Sequence, residues 1–320
     1  MRILVTGGAG FIGSNLVEAL LRHPEVKQVR VLDNLATGST NNIHEFYSKP
    51  HFEFLQGDIR NYSTCLEACD GMDLISHQAA LGSVPRSIND PLTTNEVNIT
   101  GTLNVFMAAK EKKIKRIVYA ASSSTYGDHA ALPKQEDKIG KPLSPYAVTK
   151  YVNELYADVF ASLYDMEFIG LRYFNIFGPK QNPQGPYAAV IPLFIEALLN
   201  DQSPVINGDG TISRDFTYVS NAVQANILSL FANNKKAINQ VYNIACGHQT
   251  SLLDLFQKLK KISSSDIEPT HMSDRPGDVK HSLADISKAK NLLGYDPQIS
   301  VEEGLKKTFE WYQKQVKIKV

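Results

Sequence analysis

Short, wholly apolar runs alternate along the chain with longer stretches whose apolar positions recur every three to four residues. The runs predict strands at 3–6, 28–32, 52–56, 74–77, 116–121 and 168–171; the stretches between them predict helices at 15–22, 64–69, 97–110 and 146–161. Strands that are apolar throughout, rather than alternately, are buried on both faces, as in a parallel sheet covered by helices. The expected class is therefore α/β, with a doubly wound parallel sheet. After about residue 172 Pro, Gly and Asn become frequent, in 178–187 and again in 207–213. The regular alternation stops there until 241–245, a strand candidate that can rejoin the sheet. Late helical stretches at 285–293 and 301–312 belong to a smaller C-terminal α/β domain. The expected division sets 1–172, with 216–245 returning to it, against 173–215 and 246–320.

At 320 residues the chain can bury a substantial core as one large domain or two smaller ones. Its 33 Lys+Arg balance 33 Asp+Glu, so it has no basic face for nucleic acid and none for an anionic membrane. No apolar run approaches a membrane span, and Met1 leads directly into the first strand without a signal peptide's apolar stretch, which predicts a cytoplasmic location. Cys65, Cys69 and Cys246 lack zinc-ligand spacing and read as reduced structural thiols, with no metal site expected. The sequon at Asn98-Ile99-Thr100 is discounted on the same compartment argument. His77 reads as a packed core residue, and the lysine-rich stretches at 111–113, 233–236 and 314–320 as solvated surface.

The first chemistry lies in Thr6-Gly7-Gly8-Ala9-Gly10-Phe11-Ile12-Gly13, which joins the first strand to the first helix. Glycines there permit a tight turn, so that backbone N–H groups and a helix N-terminus face a pyrophosphate. A glycine pattern alone is weak. Asp33, twenty residues after Gly13 at the end of the second strand, strengthens it: its carboxylate can accept from both ribose hydroxyls and repels a 2′-phosphate. NAD is favoured over NADP, in a Rossmann domain.

The second lies in Ser144-Pro145-Tyr146-Ala147-Val148-Thr149-Lys150. Ser144 is a good N-cap and Pro145 a good first helical residue, so Tyr146 and Lys150 share one helix face at i, i+4. A cation beside a phenol stabilises the phenolate and suits Tyr146 to remove a proton from a sugar or alcohol hydroxyl. In isolation the pair would read as surface residues of an amphipathic helix; the glycine loop, the acid and the serines that close the fifth strand, Ser122-Ser123-Ser124, reverse that reading.

With these residues in order, the chain resembles the extended short-chain dehydrogenase/reductases, and among them the nucleotide-sugar 4-epimerases. The resemblance runs the length of the chain. Its carriers are TGGAGFIG, the DN of Asp33-Asn34, GDIR at 57–60, HQAA at 77–80, Asn98 with Gly101-Thr102, SSSTYG, Tyr146 with Lys150, LRYFNIFGP at 171–179 and Arg214-Asp215-Phe216. It is nearest to the bacterial UDP-N-acetylglucosamine 4-epimerases of polysaccharide pathways. It implies that Gly7, Gly10, Phe11, Ile12 and Gly13 hold the NAD pyrophosphate, Asp33 and Asn34 the adenosine ribose with Gly38 nearby, and Asp58 and Ile59 the adenine. Gln78, Ala79, Ala80, Asn98, Lys150 and Tyr173 would line the nicotinamide side. For a UDP-sugar substrate it implies Asn175 and Arg214 at the diphosphate, Ala189, Val190, Val205, Asn207, Arg275 and Asp278 around the nucleotide, and Gly82, Ser83, Ser122, Ser123 and Ser282 around the sugar. Ser122, Tyr146 and Lys150 would be catalytic: Tyr146 takes the 4-hydroxyl proton, carbon 4 gives hydride to NAD, and the 4-keto sugar turns before hydride returns.

Dehydratases of the family carry an acidic pair after the catalytic Ser/Thr; Ser124-Thr125 stands here instead, so chemistry confined to carbon 4 is expected. Small Ser282, where enzymes restricted to UDP-glucose and UDP-galactose often carry Tyr, favours an N-acetylated sugar. UDP-glucose/galactose and UDP-N-acetylhexosaminuronate remain alternatives. Relatives pair the helices predicted at 97–110 and 146–161 with a second subunit's, implying a homodimer through a four-helix bundle. A non-catalytic NAD-binding regulator is the contrasting reading, and the presence of both Tyr146 and Lys150 speaks against it.

Overall fold

The structure is a computed structural model, and it describes residues 1–184, 188–273 and 280–318, with side chains as far as 315. Seven strands, β1 (Arg2–Thr6), β2 (Gln28–Asp33), β3 (Phe52–Gln56), β4 (Leu74–His77), β5 (Arg116–Ser122), β6 (Glu167–Tyr173) and β7 (Gln240–Ile244), form one sheet. They lie in the order β7-β6-β5-β4-β1-β2-β3, and every neighbouring pair is parallel. Residue by residue the strands face two cores. Ile3, Val5, Val29, Val31, Val118 and Ile169 pack on one face with Leu16, Val17 and Leu20 of α1 (Phe11–Leu20). Leu4, Leu32, Ile75, Ile117 and Phe168 pack on the other with α2 (Tyr62–Cys69), α3 (Thr102–Glu111) and α4 (Pro145–Tyr164). Each such side chain, taken fully out of water, stabilises the fold by about 1.5–3 kcal/mol, which is why strands of this composition settle in the middle layer. The fold is the Rossmann-type α/β class.

The chain winds outward from β1 in both directions, so the order reverses between β1 and β4, and the carboxyl ends of these strands open a crevice at that switch point. The strand expected at 241–245 is β7, paired in register with β6 from Gln240↔Ile169 to Ile244↔Tyr173; the helix that precedes it, α5 (Val219–Leu230), buries Ala222 and Ala225 in the same core as α1. The C-terminal α/β region adds three small two-stranded pairings and the helices Val190–Leu199, Leu252–Ser263, Ser287–Leu293 and Val301–Ile318. Among the described residues no helix is long and apolar enough to cross a membrane.

Two helices depart from the periodic pattern. The first begins at Phe11 rather than 15, because extended Gly10 serves as N-cap and the glycines contribute no apolar period. The stretch expected at 97–110 opens with a π-helical turn, Glu96–Gly101, before α3; its wider ring leaves Asn98 turned into the protein.

Candidate active site

The turn from β1 into α1 is packed against the end of β4. Gly7 has φ +70°, and a Cβ there would lie 2.6 Å from the backbone N of Ala79; at Gly13 it would lie 2.1 Å from the carbonyl oxygen of Gly7. No side chain fits at either position, so the loop presents bare backbone to the cavity above it. That cavity, of about 480 Å³, runs along the crevice. At one end stand Asp33, Asn34, Asp58 and Ile59, in the middle Gly7, Gly10, Phe11, Ile12 and Gly13, and at the other end Gln78, Ala79, Ala80, Gly82, Ser122, Tyr146, Lys150 and Tyr173. A second cavity of about 260 Å³ is lined by Ala189, Val190, Val205, Asn207 and Arg214. Asn175 and Ile176 line both.

At the acidic end, Asp33 is nearly buried; its Oδ2 accepts from Ala9 N at 2.9 Å and its Oδ1 from Leu35 N at 2.8 Å. Burial raises its pKa and the two backbone donors oppose that rise. Asp58 is held down to about 2, chiefly by the Arg60 guanidinium, and also accepts from Asn34 Nδ2 at 2.8 Å. A carboxylate this close to the turn has no place for a further phosphate, while its remaining lone pairs can take hydroxyl donors. The bare glycine cradle, the acid at the end of β2 and the length of the crevice fit NAD, with the residues named above to hold it.

At the other end, Ser144 caps α4 by accepting from Ala147 N at 3.1 Å, which sets Tyr146 and Lys150 on its first turns. Lys150 Nζ donates to Ala120 O at 2.9 Å. Burial pushes the ammonium down to about 8, with Glu154 opposing. Burial likewise raises the Tyr146 phenol above its ordinary value, and a hydrogen bond with Ser122 pulls it back. Lys150 is held by Ala120 O from β5, and Ser122 is the hydroxyl that eases the phenol. Ser122 itself accepts from Ser124 N at 3.2 Å and from the Ser124 hydroxyl at 2.8 Å. With both acceptor sites used, its own proton is the one it can donate.

The floor beneath is fixed by polar chains. Tyr173 donates to Gln78 Oε1 at 3.0 Å and accepts from Asn226 Nδ2 at 2.7 Å. His77, fully packed as expected, lies between Thr6 Oγ1 at 2.7 Å and Thr102 Oγ1 at 2.9 Å. The Thr102 hydroxyl donates onward to Asn98 O at 2.7 Å, so His77 Nε2 carries the proton and Nδ1 accepts from Thr6, which in turn accepts from Ala79 N at 3.3 Å.

Some expected contacts lie outside both cavities. Asn98 instead grips the backbone of Leu81 through N–H and C=O, at 2.8 and 3.1 Å, and donates to Thr149 at 3.1 Å, shaping the wall rather than lining it. Gly38 sits behind the glycine loop, where a Cβ would lie 2.8 Å from Ala9 C. Ser83, at φ +95°, caps the short helix Val84–Asn89. Ser123 opens the 3-10 turn that Ser122 caps. Ser282 donates its N–H to Ser213 O at 3.1 Å, one residue from Arg214. Arg275 and Asp278 lie outside the described residues. The structure also brings in residues the sequence reading passed over: Arg60, Thr37, Thr93 and Gln181 line the larger cavity. Arg60 was within reach, lying in the GDIR motif; Gln181 falls in aperiodic chain with no local signal. Among the described residues no group of three or more His, Cys, Asp or Glu side chains could hold a metal ion.

Residues 3–245 match the NAD dependent epimerase/dehydratase family. A "Putative UDP-glucose 4-epimerase" of Methanocaldococcus jannaschii is 39% identical over 97% of this chain and 97% of its own length, and a UDP-glucose 4-epimerase of Mycolicibacterium smegmatis is 36% identical over 98% and 99%. The structure of a UDP-N-acetylglucosamine 4-epimerase from Methanobrevibacter ruminantium M1, in complex with UDP-N-acetylmuramic acid, is 40% identical with a TM-score of 0.92, covering 98% of each chain. Crevice, glycine cradle, Tyr–Lys pair and these likenesses converge: the chain belongs to the NAD-dependent epimerase/dehydratase family, as an extended short-chain dehydrogenase/reductase.

Proposed function

We propose that this NAD-dependent nucleotide-sugar epimerase inverts carbon 4 of UDP-glucose and UDP-galactose, with Ser122, Tyr146 and Lys150 as its catalytic residues. The observation that carries the residue assignment is the junction of the two cavities: Ser122, Tyr146 and Lys150 stand at the end of one, and Asn175 joins it to the pocket that holds Arg214. A sugar diphosphate spanning that junction would set its anion at Asn175 and Arg214 and its hydroxyl at the Ser122–Tyr146 hydrogen bond. Ser122 donates to the 4-oxygen, Tyr146 takes and returns its proton, and Lys150 supplies the positive charge that makes a buried phenolate attainable. NAD, when bound, would accept and return the hydride of carbon 4. Ser124-Thr125 offers no carboxylate for elimination of water.

Two of the relatives above carry a UDP-glucose name at 39% and 36% identity, and Ser282 lies outside both cavities, so the residue that favoured an N-acetyl group makes no wall there. A second reading, the UDP-N-acetylglucosamine/UDP-N-acetylgalactosamine pair, draws on the 40% identical structure. Incubation of the purified protein with each UDP-sugar separately, without added cofactor, and proton NMR of the anomeric region decides between them. Faster epimerisation of UDP-galactose supports the first reading, faster epimerisation of UDP-N-acetylgalactosamine the second, and no epimer from any UDP-sugar sinks both in favour of a binding-only protein.

We also infer a homodimer. On α4, Val148, Leu155, Val159 and Leu163 are exposed along one face, and Ile88 and Leu92 lie exposed on the two short helices before it. The apolar residues of α3, by contrast, are buried or half-buried, so the exposed apolar face belongs to α4 and the 84–95 segment.

A further inference from the structure

A buried ion pair costs desolvation that a well-packed apolar pair would not, so its position calls for an account. Behind the cleft, Arg172 and Glu154 are 4% and 6% exposed. Arg172 Nε donates to Oε1 of Glu154 at 2.9 Å and Nη2 to Oε2 at 2.7 Å, a bidentate fork. Glu154 is four residues after Lys150 and eight after Tyr146, on the same face of α4. Arg172 lies opposite Ala121 in the β5–β6 register, next to the Ser122–Tyr173 pair. It also donates to Glu136 O at 3.0 Å, and its guanidinium stands 4.8 Å over the ring of Tyr126, in the 3-10 turn that Ser122 caps. One ion pair thus joins the helix that carries Tyr146 and Lys150 to β6, beside the end of β5 that carries Ser122.

We propose that Glu154 and Arg172 are a positioning pair for carbon-4 epimerisation: Glu154 sets a carboxylate one helical turn from Lys150, and Arg172 restrains that carboxylate so that it acts on the Lys150 ammonium without capturing it. The proposal rests on the reading of Tyr146 and Lys150 as the proton-handling pair. The groups that act on Lys150 are Glu154 from its own helix, Ala120 O from β5 and His77 from β4, with Tyr146 one turn before it on α4. His77 is neutral, its pKa brought down to about 3 by burial and by Lys150 itself. Glu154 is the one anion in this set, and it is the group that opposes the burial of Lys150. Removing either partner alone therefore perturbs Lys150 in opposite senses.

The test is the titration of Lys150, followed by NMR of labelled lysine in the dinucleotide-free chain and assigned by its absence from Lys150→Met. Glu154→Gln keeps the shape and loses the charge; its Lys150 midpoint is expected to fall by at least about one unit, with turnover near neutral pH down about tenfold and KM changed by less than about twofold. Arg172→Gln is expected to move the midpoint upward. If Arg172→Gln does not fold, the double variant Glu154→Gln/Arg172→Gln, which buries no unpaired charge, must titrate as Glu154→Gln does. A Lys150 midpoint unmoved in Glu154→Gln, or moved in the same direction by both single variants, overturns the proposal and leaves a structural clamp. Undiminished turnover by Lys150→Met would instead overturn the catalytic reading, which the NMR midpoint does not depend on.

Discussion

His77 gives the sharpest test of how the cleft wall is held. It is buried between two threonine hydroxyls with Lys150 nearby, and burial followed by that positive charge brings its pKa from the ordinary 6.5 to about 3. A folded-state pKa below the unfolded one means that the unfolded chain binds the proton first, so the contribution is whole above pH 6.5 and is lost as pH falls from there toward 3. Between pH 7 and pH 5 the unfolded state gains about one and a half pKa units of protonation free energy from this residue and the folded state almost none, a loss of about 2 kcal/mol. His77→Gln removes the titration together with two buried hydrogen bonds worth about 1 kcal/mol each. Urea denaturation of wild type and variant at both pH values separates this group from the carboxylates, which titrate in both proteins. The variant is expected to be clearly destabilised at pH 7, and the gap should shrink by about 2 kcal/mol at pH 5. A gap that stays constant with pH would refute the reasoning, because it would mean that His77 is charged in the folded chain or that the chain from Ala79 to Asn98 does not form.

Tyr146→Phe removes the proposed base and should lower turnover by about 10²–10⁴-fold, with the UDP-sugar still binding; near-normal turnover would show that another group moves the proton. Gly13→Ala places a Cβ 2.1 Å from the Gly7 oxygen, so either the loop opens or α1 shifts. A thermal melt should show destabilisation of about 1–3 kcal/mol, and NAD affinity by fluorescence should fall at least tenfold. Leu163→Glu with Val159→Glu puts charge on the exposed face of α4 and should give a folded monomer by light scattering, whereas an unchanged mass would move the interface elsewhere.

The strands were legible because a doubly covered parallel sheet demands continuous apolar runs, and each of the six predicted before residue 172 coincides with a strand of the sheet to within about two residues. The glycine turn, Asp33 and the Tyr146–Lys150 pair were legible because their chemistry depends on local spacing. The same locality fell short where partners are distant. The spacing of Tyr146 and Lys150 puts them on one helix face, but it does not show that the ammonium bonds Ala120 O from β5 or that Ser122, twenty-four residues earlier, eases the phenol. Asn98 reads as a cofactor contact until the π-helical turn aims its amide at Leu81.

The sequence by itself determined the α/β class, the strand positions and the residue types at the reacting end, since hydrophobic period, capping and backbone freedom are properties of neighbouring residues. Only the tertiary structure decided which side chains share a cavity, which way each hydroxyl gives its proton and what stands behind Lys150. Those depend on burial and on groups from β4, β5 and β6 that meet only when the sheet closes, and no spacing along the chain encodes the desolvation that sets their charge.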